Sequence, residues 1–309
     1  MTSASSAAPN EVSAVLLLGL GEGGAYLARA LREGGKGEAR PRVLAYDAAV
    51  AKPELAEGVR QRAAALGVEL REEIGDWVGE VDLAVSLVPG SAALAAARQV
   101  RPHLRAGAIF ADLNSITAEM MREIAAVFDD SGIHVVDGGV LGNFRAGNRV
   151  PVLLAGGRAE TVRDVLPASH FVAERIEGRP GDASAIKMLR SVLMKGLEAL
   201  FVESLVAAEI EGVRPLFMEA FRDLDERPFA TTMEVQTVTH LVHAARRLGE
   251  VERVATVLEA DGLEGVMTEA TRRLFAATVD AGVAPASGEP LSLDETLRVL
   301  IRVFRKAGG

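Results

Sequence analysis

There is no cysteine anywhere in the 309 residues. Thiolate nucleophiles, disulfides and cysteine-held metals are therefore excluded, and nothing points to an oxidising compartment. Aromatic residues are scarce as well, at 4%, with one Trp and two Tyr. Leu, Val and Ala must fill the cores, and Trp77, Tyr26 and Tyr46 read as packing residues. Positive charge is in deficit: 34 Lys and Arg against 43 Asp and Glu give a formal net charge of −9. No nucleic-acid partner and no membrane surface is expected, and an anionic substrate has to be held by locally placed cations. The apolar run Val12–Leu18 is too short to cross a bilayer and ends in glycines. Residues 1–10, MTSASSAAPN, lack a basic start followed by an apolar stretch and read as a disordered tail, so a cytoplasmic location is expected.

What is present is the balance of a globular protein, 49% hydrophobic and 25% charged, at a length suited to two domains. The first half alternates short apolar runs with helix-like stretches, the pattern of a mostly parallel, doubly wound α/β sheet of the Rossmann type. Strands are expected at Val12–Leu18, Arg42–Tyr46, Asp82–Leu87, Ala108–Ala111 and His134–Val136. A further pair near Val150–Ala155 and Phe171–Ala173 extends the sheet. The intervening helices fall at Gly24–Arg32, Pro53–Leu66, Ala92–Val100 and Ala118–Phe128. After Pro180 and Gly181 the chain reads as helix almost to its end, beginning with a long interdomain helix over Ala185–Ile210. Later helices are expected at Pro215–Leu224, Ala230–Leu248, Val251–Ala260, Glu264–Ala281 and Leu293–Arg305. The domain boundary is set near residue 178: residues 1–178 a dinucleotide-binding domain, 179–309 an all-α substrate and dimerisation domain.

The strongest local motif is LLLGLGEGGAYLARAL, which puts Gly19, Gly21 and Gly24 in G-x-G-x-x-G register between a strand and a helix. The first glycine permits a tight turn, the second close approach of a pyrophosphate, and the third close packing of helix on strand. The helix N-terminus adds amide donors and partial positive charge. Asp47 ends the run VLAYD, 23 residues beyond Gly24. Its carboxylate can accept from an adenosine ribose and repels a 2′-phosphate, and no arginine follows at once. NAD is therefore favoured over NADP. The plain alternative is a turn without a ligand, with Asp47 capping a loop.

At this point the chain resembles the β-hydroxyacid dehydrogenases, the family of 6-phosphogluconate and 3-hydroxyisobutyrate dehydrogenases, over nearly its whole length. GLGEGG is similar to the family's GLGxMG, so Gly19, Leu20, Gly21, Glu22, Gly23 and Gly24 are implied to hold the cofactor, with Gly23 in place of the methionine. SLVPG resembles the segment that lies along the cofactor, which brings in Leu87, Val88 and Pro89. DLNSIT resembles D-x-S-T-x-x and implies Asn114 and Ser115 near nicotinamide and substrate. DGGVLGN is similar to the substrate loop D-A-P-V-S-G-G, implying Gly139, Gly142 and Asn143. GDASAIKMLRS resembles G-x-G-x-x-x-K-x-x-N-N and sets Lys187 on the catalytic lysine, with Ser191 following it in the substrate pocket. Leu141 stands where the family has a carboxylate-binding serine, Ala183 replaces a glycine, and Arg190 and Ser191 replace two asparagines. These departures, with the run KMLRSVLMKGLEAL, resemble a separate 6-phosphogluconate dehydrogenase-like branch with its own C-terminal domain.

Read without the family, the long helix carries a polar stripe of Lys187, Ser191, Met194 and Glu198, with Lys195 beside it, on an otherwise apolar surface. Oxidation of a secondary alcohol needs a hydride acceptor and a proton acceptor, and a lysine serves if burial or a neighbouring cation lowers its pKa. Arg190 and Lys195 are candidates for that cationic pressure, while Lys195 and Glu198 can equally be an internal ion pair. The amides around Gly138, Gly139 and Gly142 either bind a carboxylate or only shape a tight loop. His240, His243, Arg246 and Arg247 either reach an anionic substrate or form a solvated basic face, and no metal site is expected. The leading reading is hydride transfer between NAD (or NADP) and an anionic 3-hydroxyacid, with Lys187 as general acid and base. An imine or keto-acid reductase and a noncatalytic NAD(P)-binding sensor are the alternatives. A homodimer through the C-terminal helices is expected.

Overall fold

The computed structural model describes residues 12–34, 40–144 and 149–305, and the reading of residues 1–10 lies outside them. The chain divides into two compact units, Met1–Val192 and Leu193–Gly309.

The first unit is built on one eight-stranded sheet: β1 (Ala14–Leu18), β2 (Arg42–Tyr46), β3 (Glu69–Leu70), β4 (Leu83–Ser86), β5 (Ile109–Asp112), β6 (His134–Val140), β7 (Val150–Ala155) and β8 (Phe171–Arg175). Their spatial order is β3-β2-β1-β4-β5-β6-β7-β8. All neighbours run parallel except β7, which is antiparallel to β6. Successive side chains of a strand point to opposite faces, and the core divides accordingly. Val15 and Leu17 join one apolar cluster with α1 (Glu22–Glu33), α2 (Pro53–Leu66) and α5 (Ala159–Val165). Leu16 and Leu18 join the other with α3 (Ala93–Val100) and α4 (Ala118–Val127). Helices on both faces explain why these strands are apolar throughout rather than alternating. β1 pairs with β2 on one side and β4 on the other, so the chain reverses its winding there, and the crevice at the strands' carboxyl ends is where such sheets bind ligands.

The helix α6 (Asp182–Ile210) starts in the first unit and ends in the second. The sheet ends at Arg175 and α6 begins at Asp182, so residue 178 separates sheet from helix, whereas the two compact units part at Val192, inside α6.

The second unit continues with α7 (Arg214–Glu219), α8 (Arg222–Asp225), α9 (Phe229–Val238), α10 (His240–Ala260), α11 (Val266–Asp280) and α12 (Leu293–Phe304). The expected break at Gly249 is not there: α10 runs through it, and the helix axis breaks at Thr239 instead. Thr239 donates its hydroxyl to Val235 O and accepts from the Arg247 guanidinium, which fixes the break where no glycine marks it. The expected helix Pro215–Leu224 is likewise two short ones. No helix among the described residues is long and apolar enough to cross a membrane.

Candidate active site

The glycine turn closes β1 against β4. Gly19 has φ +92°, and a Cβ there would lie 2.5 Å from the Leu87 carbonyl oxygen. Its N–H donates to Tyr46 O, and Leu87 N–H donates to Leu18 O, each at 2.8 Å. A Cβ at Gly24 would meet Gly19 O at 2.1 Å, so only glycine lets α1 start this close to the turn. At Gly21 a Cβ would meet nothing within 4 Å, which leaves the turn open there. Gly21 is also the N-cap of α1 and brings no side-chain cap, so a helix terminus faces that opening without a capping group of its own. Gly23 lies under the Phe144 ring, 3.0 Å from its Cβ position, and Phe144 packs on Tyr26. That ring occupies the space a longer side chain at 23 needs, a physical reason for glycine where the resemblance has methionine.

Asp47 is tied to this turn. One carboxylate oxygen accepts from Leu20 N–H at 2.8 Å, the other from Ala49 N–H at 2.9 Å. The Leu20 carbonyl in turn accepts from Arg62 on α2 at 2.9 Å. Arg62 is 15 residues beyond Asp47, too far along the chain for the sequence to connect them. Leu87 and Val88 pack against opposite cores, and Pro89 leads into the 3-10 turn Gly90–Ala92.

Two strands along, β5 ends on the buried carboxylate Asp112, and β6 carries the buried Asp137 beside it before running on to Val140. The strand register pairs Asp112 with Asp137 directly. Asp112 accepts from Asn114 N–H at 2.9 Å and from Asn114 Nδ2 at 2.7 Å. Asn114 Nδ2 also donates to Ser86 Oγ at 2.8 Å. Both amide hydrogens are thereby used, and Oδ1 is left as a buried acceptor with no hydrogen-bond partner among the described residues. Burial pushes Asp112 up to about 6, with Asp137 adding to the rise and the bonds from Asn114 and Ser86 opposing it. Ser115, next along, is exposed.

Asp137 caps α6 from a neighbouring element: it accepts from Gly181 N–H at 2.9 Å, Ser184 N–H at 3.0 Å and Ser184 Oγ at 2.6 Å. One turn into that helix, Lys187 donates from Nζ to the Asn114 backbone carbonyl at 3.2 Å. Burial lowers the Lys187 pKa, while the charges of Asp112 and Asp137 hold it up. The cationic pressure expected from Arg190 and Lys195 is not the cause: desolvation does this work. Arg190 instead donates to Leu141 O at 2.9 Å, and Lys195 and Glu198, both exposed, form no ion pair with each other among the described residues. Ser191 lies one turn past Lys187 and is half-buried.

Gly138 and Gly139 prove to be strand residues of β6, opposite Leu154 and Leu153. A Cβ at Gly139 would press on Ala183 O at 2.8 Å, so this glycine makes room for the start of α6. Gly142 is exposed and backs on Pro151, and Asn143 is exposed beside it. In the second unit His240 is buried, its Nε2 2.9 Å from Thr278 Oγ1 and its ring beside Phe275, which gives it a packing task. Among the described residues no group of three or more His, Cys, Asp or Glu is placed to hold a metal ion.

The profile of the NAD binding domain of 6-phosphogluconate dehydrogenase matches residues 14–178, more than half of the chain. The chain belongs to this family. A second profile, a domain of unknown function (DUF1932), matches residues 208–278 of the family member. A conserved hypothetical protein from Sinorhizobium meliloti 1021 is 30% identical, with 95% of this chain and 96% of that one covered and a TM-score of 0.58. A conserved protein of unknown function, reported for its structural similarity with 3-hydroxyacid dehydrogenases, is 28% identical over 87% of this chain and 98% of that one, at a TM-score of 0.56. An imine reductase variant from Myxococcus stipitatus in complex with NAD+ shares the fold at 18% identity, with 93% and 99% covered and a TM-score of 0.70. This family member thus carries an NAD-binding domain and an NAD(P)-dependent oxidoreductase fold.

Proposed function

We propose that the chain passes hydride between a nicotinamide cofactor and a 3-hydroxyacid-like anion, with Lys187 as general acid and base. The observation that carries this reading is the Lys187 ammonium resting on the Asn114 carbonyl at the carboxyl edge of the sheet. The glycine turn lies on the same edge, at the end of β1, and its fit is physical: Gly19 and Gly24 admit no side chain, while Gly21 faces open space. When bound, the cofactor supplies the hydride acceptor or donor. Lys187 takes the hydroxyl proton in the oxidative direction, and its lowered pKa raises the fraction of neutral amine available for that. In the reductive direction the same ammonium gives the proton back. Asn114 presents an oxygen, not an N–H, and therefore meets a donor: a hydroxyl or a carboxamide N–H. Arg190 is exposed and anchored at Leu141, so its remaining N–H groups stand at the loop where the resemblance places carboxylate recognition.

NAD is the preferred cofactor, because Asp47 sets a carboxylate at the glycine turn and Ala48 and Ala49 follow it. The chain pairs with a second copy through its second unit. There Met194, Phe201, Val202 and Leu205 of α6 line an open groove of about 410 Å³ with Lys195 and Glu198.

The test replaces Lys187 by Met and measures NADH binding by fluorescence separately from turnover. A panel of 3-hydroxyacids, their keto acids and cyclic imines serves as substrates, in both directions. Expected is a loss of turnover of roughly 10²- to 10⁴-fold with NADH affinity retained. Undiminished turnover overturns the lysine's role, and turnover of the imines alone replaces the hydroxyacid reading with reduction at a C=N bond.

A further inference from the structure

Two carboxylates reach the Lys187 neighbourhood without touching its ammonium. Asp137 has an evident task as the cap of α6. Asp112 has none of that kind: among the described residues it caps no helix and forms no ion pair, yet it is almost wholly buried. Burying a carboxylate without a cationic partner is costly, so its place needs a reason. Its bonds come from the short Asn114 turn and from Ser86 on β4. Asp112 takes both the backbone N–H and the side-chain amide of Asn114, and Ser86 on β4 holds the other amide hydrogen. The carbonyl of that same Asn114 is the one the Lys187 ammonium donates to.

We propose that Asp112 is a positioning residue for Lys187, acting through the Asn114 turn it pins and through its own negative charge. This rests on the reading of Lys187 as the proton-transfer group, and it deepens it. The charged groups that face Lys187 are Asp112 on β5 and Asp137 on β6, while Arg190, from its own helix, is turned to Leu141 O. Asp112 carries its charge above pH 6. It then steadies the ammonium against desolvation and keeps the lysine able to return a proton.

The experiment reads Lys187 directly and needs neither substrate nor turnover. The full-length chain is labelled with trace acetic anhydride between pH 6 and 11, and acetylation of Lys187 is followed by mass spectrometry with exposed Lys195 as the internal reference. In Asp112→Asn the labelling midpoint of Lys187 moves to lower pH, and at pH 8 its rate relative to Lys195 rises roughly three- to tenfold. Asp112→Glu, which restores the charge, returns the midpoint toward the native one. A purely structural role predicts the reverse: loosening the turn lets water in and moves the midpoint up, toward an ordinary lysine. An upward shift or no shift in the folded Asn variant overturns the proposal, and Asp112→Ser carries the same expectation should the Asn variant fail to fold. Because the labelling needs no turnover, the shift in Asp112→Asn is expected whether or not Lys187 transfers a proton, so the two readings fail separately.

Discussion

The two units differ most in what they do with their apolar side chains. In Met1–Val192 all five residues of β1 are buried and the sheet is sealed on both faces. In Leu193–Gly309 the buried apolar side chains among the described residues come down to Ala208, Leu241, Ala244 and Leu258. Phe201, Val202, Leu216 and Met218 are more than half exposed there. Exposed apolar surface on this scale marks an interaction face. The first unit specifies itself through its own core. The second leaves much of its apolar surface exposed, the surface that the proposed second copy of the chain would cover.

The largest expected effect tests that contrast. Changing Phe201 and Val202 together to Asp puts two charges in the α6 groove. Dimerisation measured by sedimentation should then weaken by about 4 kcal/mol, a roughly thousandfold higher Kd, leaving monomer. The NADH site of the first unit should be left unchanged. If the double variant sediments as the native chain does, the second unit is self-sufficient and the comparison breaks.

Next in size is Gly24→Ala in the first unit. Its new Cβ would sit 2.1 Å from Gly19 O, a backbone atom that cannot swing aside. We expect a loss of about 3 kcal/mol or more of stability, measured by urea unfolding, together with weakened NADH binding. Retention of both would mean that the turn is looser than its packing indicates.

How much of this was legible depends on whether a residue's partners are close in sequence. β2, β7 and α2 fall at the predicted limits, because Gly, Pro and apolar runs bound them locally. The tasks of Gly19 and Gly24 could be read for the same reason. The two-residue β3 could not: Glu69 and Leu70 are half-buried and held by backbone pairing to β2, which leaves no apolar signature. Nor could the seven-residue α5. Asp112 and Asp137 looked like members of motifs, and their work was hidden because Ser86 is 28 residues from Asn114 and Ser184 is 47 from Asp137. The one available signal was an acid following an apolar run, seen twice, in IFAD and VVD, although β6 continues beyond the second to Val140.

Acids also separate the units by sign. The folded value of Asp112, about 6, lies above its ordinary 3.8. Its contribution to stability is therefore fully present below pH 3.8 and is lost as the pH rises through about 6. Asp112→Asn carries no such loss, so its unfolding free energy relative to the native chain should improve by up to about 3 kcal/mol between pH 4 and pH 7. In the second unit, hydrogen bonds from Arg272 and Arg273 hold the half-buried Glu269 down at about 2, below its ordinary 4.5. Its contribution is present above pH 4.5 and fades as the pH falls toward 2, so Glu269→Gln should narrow its deficit on acidification. Urea titrations at several pH values read both. Two variants drifting the same way would remove the distinction between a buried and a solvated carboxylate.

The smallest effect has the opposite sign to the Gly24 substitution. Gly249 lies in the interior of α10, where a Cβ would meet only the Arg253 guanidinium at an ordinary 3.7 Å. A helix-interior glycine costs backbone entropy that alanine does not, so Gly249→Ala should stabilise the chain by about 0.5–1 kcal/mol. One methyl group thus destabilises at position 24 and stabilises at 249. The first glycine is fixed by a carbonyl it must let pass, whereas the second sits in a helix that merely tolerates it. A denaturation curve shifted to lower urea in Gly249→Ala would show that α10 needs glycine there, as at a close crossing with another chain.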